Sequence, residues 1–197
     1  MAGSLTQNRF AAADCTAFRN NPLRNPLDQP YCYIPGRISF SDSWIRWNYE
    51  GLEAKYGWTT LQRVFDAVRN LPTGGRVDFE YADYGSYGTP RVFEASPYFT
   101  DRSVMEALLL ETSLTFPFFY YIQRSVSQTS WWPGFPLDLP VFNLTEGAKR
   151  LRLYNVEYFV AYAPATKQAA RNHPDFESLD EVGGFEIFRV KGNSGFV

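Results

Sequence analysis

The sequence predicts an α/β chain of the mixed α+β kind, with one mixed sheet of about five or six strands and about three helices packed on it. Three observations predict it. A helical stripe from Thr59 or Thr60 to Leu71 runs through a tight Pro-Gly turn into an alternating strand. From Thr145 onward, helix, strand, helix and strand signals follow one another. The chain then closes with two strand runs joined at Gly183-Gly184, a hairpin signal.

Taken in order, residues 1–43 read as an extended Pro/Asn-rich arm, because Asn21-Pro22, Asn25-Pro26, Gln29-Pro30 and Ile34-Pro35-Gly36 each break regular structure. A single globular domain is expected over 44–191 and a frayed tail over 192–197. Ser43 is placed to cap a short helical turn that carries Trp44, Trp47 and Tyr49. In the next helix Leu61, Val64, Phe65 and Val68 share one face, while Gln62, Arg63, Asp66 and Arg69 lie outside it. In Arg76 to Tyr81, Val77, Phe79 and Tyr81 alternate with Arg76, Asp78 and Glu80. Arg91 to Ala95 is a second short strand candidate. Thr100 or Asp101 opens a segment to Leu110 that reads as helix or as buried strand. Leu114 to Ile122 is dominated by aromatics, Gln123 to Ser130 is polar, and Trp131-Trp132-Pro133-Gly134-Phe135-Pro136 is a stiffened loop. Thr145 to Leu153 is a helix capped by Asn143 or Thr145. Val156 to Ala163 is a strand, Pro164 to His173 a small helix, and Asp175 to Val182 and Phe185 to Lys191 the hairpin strands.

Composition narrows the function classes. At 197 residues the chain is long enough to bury a core without staples. Net charge is −2, with both signs interspersed and no basic stripe, which argues against a nucleic-acid partner. The longest charge-free apolar run, Thr112 to Gln123, is too short to span a bilayer. Residues 1–10 lack the apolar core of a signal peptide. Met1-Ala2-Gly3-Ser4 has the make-up of a cloning remnant, which leaves open whether the chain is a piece of a longer protein. Cys15 and Cys32 would pair in an extracytoplasmic setting, closing a loop worth ~3 kcal/mol, and would be unrelated thiols in a cytosol.

The aromatic fraction of 18% is the unusual number. Its bland explanation is an aromatic core. Its functional one is a stacking or docking surface, since Tyr and Trp combine an apolar face with a polar handle. Candidate ligand-binding residues are Trp44, Trp47, Tyr98, Trp131 and Trp132, with Glu80 and Glu94 beside strand ends as hydroxyl acceptors. Glycoside chemistry would need two facing carboxyl groups, drawn from Glu80, Glu94, Glu106, Glu111 and Asp83. The bland reading of these acids is solvation or a salt bridge to Arg76, Arg91 or Arg102. No catalytic residue, metal site or cofactor is assigned. One histidine, His173, cannot build a Cys/His zinc set, and it sits before Pro174 in a polar stretch that suits a catalytic triad poorly. Gly85-Ser86-Tyr87-Gly88-Thr89 lacks the lysine and helix context of a phosphate loop, and Asn143-Leu144-Thr145 is a glycosylation sequon that matters only in a suitable host.

Several local patterns recur together. Trp44-Ile45-Arg46-Trp47-Asn48-Tyr49-Glu50-Gly51, Gly75-Arg76-Val77-Asp78-Phe79-Glu80, Pro97-Tyr98-Phe99-Thr100-Asp101-Arg102, Glu111-Thr112-Ser113 with Pro117-Phe118, and Leu153-Tyr154-Asn155-Val156-Glu157-Tyr158-Phe159-Val160 appear in the order seen in a family that the chain resembles. That family is the large polytopic membrane proteins labelled 6-pyruvoyl-tetrahydropterin synthase related, which look like GT-C type glycosyltransferases. The resemblance is to the soluble region after their membrane helices and covers roughly residues 40 to 190. The synthase named in the label uses a histidine-rich zinc site that this chain does not have. GT-C enzymes keep their catalytic acids in loops between membrane helices. The resemblance therefore implies a non-catalytic domain on the extracytoplasmic (periplasmic or cell-surface) face of a larger membrane protein. Its expected partners are its own transmembrane region, a glycan or lipid-linked sugar, or a protein. Two other readings stay open: a soluble carboxylate-dependent glycan hydrolase, and a purely structural domain packing on its own membrane portion.

Overall fold

The computed structural model describes residues 49, 51–55, 57–72, 74–82, 84, 87, 91–105, 114, 116–129 and 138–193. The 1–43 arm with Cys15 and Cys32, the Trp44/Trp47 pair, Asp83, Glu106, Glu111 and the Trp131-Trp132 loop lie outside the described residues. The chain divides into two compact units, Met1–Leu61 with Tyr84–Val92 and Gln62–Asp83 with Phe93–Val197. The sheet belongs to the second unit.

Among the described residues there are five α-helices and four strands: α1 Trp58–Arg69, β1 Arg76–Phe79, α2 Ser96–Thr100, α3 Phe116–Val126, α4 Leu144–Leu153, β2 Val156–Ala161, α5 Pro164–Arg171, β3 Phe176–Val182 and β4 Phe185–Val190. The mixed α+β class is as the sequence predicts, with fewer strands and more helices than expected. The sheet order is β1-β2-β4-β3. β1 and β2 are parallel, and β4 is antiparallel to both β2 and β3. The β2–α5–β3 crossover therefore skips one position, which β4 fills by the hairpin return. Gly183 and Gly184 make that return at φ 60° and 86°, where a side chain would be strained.

The stripe Leu61, Val64, Phe65 and Val68 of α1 is fully buried, as its spacing predicts. Thr59 and Thr60 lie inside the first turn, and the helix stops at Arg69. Arg102 closes that end. Its guanidinium donates to the carbonyls of Leu71 and, at 3.0 Å, Pro72. The turn that follows has no room for a side chain at Gly75, and at Gly74 only if Glu157 moves aside. A Cβ on Gly75 would stand 2.3 Å from the Asn155 carbonyl oxygen, and one on Gly74 would overlap the Glu157 carboxylate. The close approach lets Gly75 N–H donate to Glu157 Oε2 (2.8 Å) and Arg76 N–H to Asn155 O (2.7 Å), locking β1 beside β2.

One expectation needs correction, and two segments whose form the sequence leaves open take a definite one. Arg91–Ala95 is not a strand: Val92–Ala95 is a 3-10 turn that runs into α2. Pro97 presets the first turn of α2, Thr100 Oγ1 donates to Ser96 O at 2.7 Å, and Asp101 ends it in the left-handed region at φ 55°. The aromatic run from Leu114 is the start of a helix, α3, which continues through the segment read as polar to Val126. Of the helix-or-strand segment after Asp101, the described part leans to strand, since Val104 forms a parallel bridge with Val77.

The sheet packs on both faces. On one side Ile122 and Val126 of α3, Leu144, Ala148 and Leu151 of α4 and Ala170 of α5 meet Val156, Phe159, Ala161, Phe176, Phe188 and Val190. On the other, Phe93 stacks on Phe79 with centroids 4.0 Å apart and meets Phe65 and Phe185 edge-on. Much of the aromatic excess is spent here, in the core.

Candidate functional site

The C-terminal ends of β1 and β2 lie side by side, and polar side chains gather there. Alternation along β1 puts Asp78 and Glu80 on the helix-covered face, opposite Val77 and Phe79. Both acids are fully buried rather than solvated.

Glu80 closes the front end of α5. That helix opens on Ala163 with no side-chain cap of its own and Pro164 in its first turn, so its leading N–H groups need an outside acceptor. Glu80 Oε2 accepts from Tyr162 N–H (2.7 Å) and Ala163 N–H (2.8 Å), and Oε1 accepts from Thr166 Oγ1 (2.5 Å). A carboxylate at a helix N-terminus is also favoured by the helix dipole. Burial nevertheless dominates and raises its pKa, with the Thr166, Tyr162, Ala163 and Gln128 hydrogen bonds pulling the other way.

Beside it, Gln123 fastens α3 to β1 and uses its whole amide to do so. Nε2 donates to Asp78 Oδ1 (2.8 Å) and Phe79 O (2.9 Å), while Oε1 accepts from Tyr81 N–H (3.1 Å) and Ser127 Oγ (2.8 Å). Ser127 Oγ in turn accepts from Tyr81 N–H at 2.8 Å. Asp78 receives that one donor, and its Oδ2 is buried without a partner. Burial therefore holds the Asp78 carboxyl well above the usual carboxylate range, the Gln123 hydrogen bond opposing it only in part.

Sequence reasoning placed Glu80 at a strand end, but it did not find Asp78, Gln123, Ser127 or Thr166. Gln123 and Ser127 are four residues apart, hence on one helix face, which was the available signal.

The other candidates are distributed differently. Glu94 belongs to the 3-10 turn that packs through Phe93 on the opposite face of the sheet from Asp78 and Gln123. Tyr98, on α2, is 86% exposed. Its backbone is well held: the ring meets Phe99 edge-on at 5.0 Å, and Phe99 stacks on Phe65 at 5.0 Å. His173 Nδ1 accepts from Asp175 N–H (3.2 Å), and its Nε2 lies within hydrogen-bond distance of Thr145 Oγ1 (3.0 Å). Asn143 of the sequon caps α4, its Oδ1 accepting from Thr145 and Glu146 N–H. Among the described residues no group of three or more His, Cys, Asp or Glu could hold a metal ion, and no helix is long and apolar enough to cross a membrane.

No family model matches the chain, and no curated protein matches it. Among solved structures it is similar to the C-terminal globular domain of an oligosaccharyltransferase from Archaeoglobus fulgidus, at 14% identity and a TM-score of 0.42, covering 71% of this chain and 99% of that one. At that score the likeness carries no argument about fold, family or activity.

Proposed function

We propose that this chain is a non-catalytic, extracytoplasmic recognition domain of a larger membrane-anchored, glycosyltransferase-like protein, and that it meets a glycan or a protein partner through exposed aromatic side chains. One observation carries the reading: the acid best placed for chemistry is committed to the fold. Glu80 has both oxygens engaged by Tyr162, Ala163 and Thr166 around the start of α5. Tyr98 is the reverse case, a solvent-facing ring on a backbone fixed by an aromatic stack, as a sugar-stacking platform requires. The motif resemblance to GT-C-like membrane proteins supports the cellular setting; Trp44, Trp47, Trp131, Trp132 and Glu94 are the further residues proposed for ligand contact on sequence grounds.

The test is a titration of the chain with a broad glycan panel, followed by tryptophan fluorescence and repeated with Tyr98→Ala. A saturable response weakened about tenfold in the variant, equivalent to ~1.4 kcal/mol, is expected. No response across the panel, or turnover of a glycan by the chain alone that Glu80→Gln abolishes without unfolding it, overturns the reading. The membrane setting fails separately if the native reading frame holds no apolar segments of about 20 residues.

A further inference from the structure

Asn143-Leu144-Thr145, followed by Glu146 and not by proline, is the single Asn-X-Ser/Thr triplet in the sequence. Such a triplet also arises by chance, so its place in the fold decides its use. It straddles the start of α4. Leu144 is buried in the core, while Asn143 and Thr145 on either side of it are exposed. The Asn143 backbone is extended, at φ −159° and ψ 100°, and its N–H donates to Ser125 O at 2.9 Å. The residue is therefore held against the end of α3 by its main chain and faces solvent with its side chain.

The Asn143 carboxamide has two ends, and the fold uses one of them. Oδ1 accepts from Thr145 N–H (3.1 Å) and Glu146 N–H (3.2 Å), which closes the first turn of α4. Two N–H donors identify the oxygen end, because an amide NH2 group accepts nothing. Nδ2 makes no hydrogen bond among the described residues, on a side chain that is exposed. Nδ2 is the atom to which an N-linked sugar is joined. A carboxamide that carries a sugar on nitrogen keeps its carbonyl oxygen. The capping contacts and the attachment point therefore lie at opposite ends of one rigid group, and neither use excludes the other.

We propose that Asn143 is an acceptor for an N-linked glycan and that the attached glycan leaves the start of α4 intact. Nδ2 forms a bond to the anomeric carbon of a sugar activated as a lipid diphosphate. The bond from that carbon to the diphosphate oxygen breaks, the lipid diphosphate leaves, and Nδ2 gives up one of its two protons. The lipid-linked donor and the transferring enzyme belong to the membrane across which the chain is exported. The proposal rests on the extracytoplasmic reading of the chain. It adds that the domain carries a glycan, whether or not Tyr98 recognises one.

Expression of the 197-residue chain behind a cleavable secretion leader, in a eukaryotic host that makes N-glycans, tests it. Expected is a secreted chain heavier by one glycan, which peptide N-glycosidase removes with conversion of Asn143 to aspartate in the peptide map. Asn143→Asp keeps a capping oxygen and Thr145→Ala keeps Asn143, and each abolishes the added mass. The glycosylated parent melts no lower than secreted Asn143→Asp, whereas Asn143→Ala, which removes the cap, melts below both. Three results overturn the proposal: a folded, secreted parent with no glycan on Asn143, a glycan that persists in Asn143→Asp or Thr145→Ala, or a glycosylated parent whose midpoint falls to that of Asn143→Ala. A glycan on Asn143 in a chain that gives no response to the glycan panel defeats the recognition reading and leaves this one standing. A chain that answers the panel but is secreted without a glycan defeats this one alone.

Discussion

Asp78 shows how a single residue changes meaning between sequence and fold. In the strand pattern it occupies a polar, outward position. In the structure it is buried, with one donor on Oδ1 and none on Oδ2. An anion so poorly solvated is costly, and the carboxyl keeps its proton to a higher pH than usual. The sign for stability follows from linkage. A folded-state pKa raised above the unfolded one gives a contribution that is fully present below about pH 4 and declines as pH rises toward the folded value, by about 1.4 kcal/mol per pH unit within that window. Asp78→Asn keeps the shape and the Gln123 acceptor and removes the titration. The parent is therefore expected to lose stability relative to Asp78→Asn as pH goes from 4 to 7, measured by urea unfolding at several pH values. Parallel pH profiles would show that Asp78 ionises freely in the folded chain. Glu80 titrates in the same direction, so the parent's own profile carries both slopes.

At the scale of elements, the fold is held by joints that no single element announces. Gln123 is the clearest. Truncation by Gln123→Ala leaves Phe79 O and Asp78 without their donor and removes an acceptor from Tyr81 and Ser127. With roughly 1–3 kcal/mol for each buried group left unpaired, a loss of about 2–4 kcal/mol is expected, readable as a lowered denaturation midpoint. An unchanged midpoint would mean that water replaces the amide. Gly147 makes the same point for packing. An alanine there is the better helix former by ~1 kcal/mol, yet its Cβ would press on Val126, so a net loss of about 1–2 kcal/mol is expected from Gly147→Ala.

These joints also explain what the sequence could disclose. The α1 stripe, the Gly183-Gly184 hairpin, the Asn143 cap and the apolar run of β2 rest on neighbours within a few residues, and all were legible. The α3 stretch reads as an aromatic and a polar segment because Gln123 and Ser127 look solvated until β1 is placed against them. The role of Glu80 was hidden for the same reason, since its partners at Tyr162 and Ala163 lie 82 and 83 residues downstream. Arg91–Ala95 misled because Phe93 is apolar for a ring stack, not for strand pairing.

For the molecule as a whole, the sheet order decides where stability resides. β2 and β4 each have a strand on both sides, and their residues are buried almost without exception. β3 is paired on one side only and is exposed from Glu177 to Glu181. Its exposed residues include Glu177, Asp180 and Glu181, and its pairing shifts register between Ser178 and Asp180; both features discourage addition of another strand. Opening β3 uncovers little apolar area, whereas opening β2 uncovers both faces of the core. Native-state hydrogen exchange is therefore expected to be slowest at Tyr158, Phe159, Val160, Ile187 and Phe188, and at least roughly a hundredfold faster at Leu179 and Asp180. The glycan-docking reading fits that gradient, because Tyr98 sits on α2 and not on the sheet. A partner bound there should leave the exchange of β3 unchanged. Protection appearing instead along β3 on addition of glycan would move the binding surface to the sheet edge and count against it.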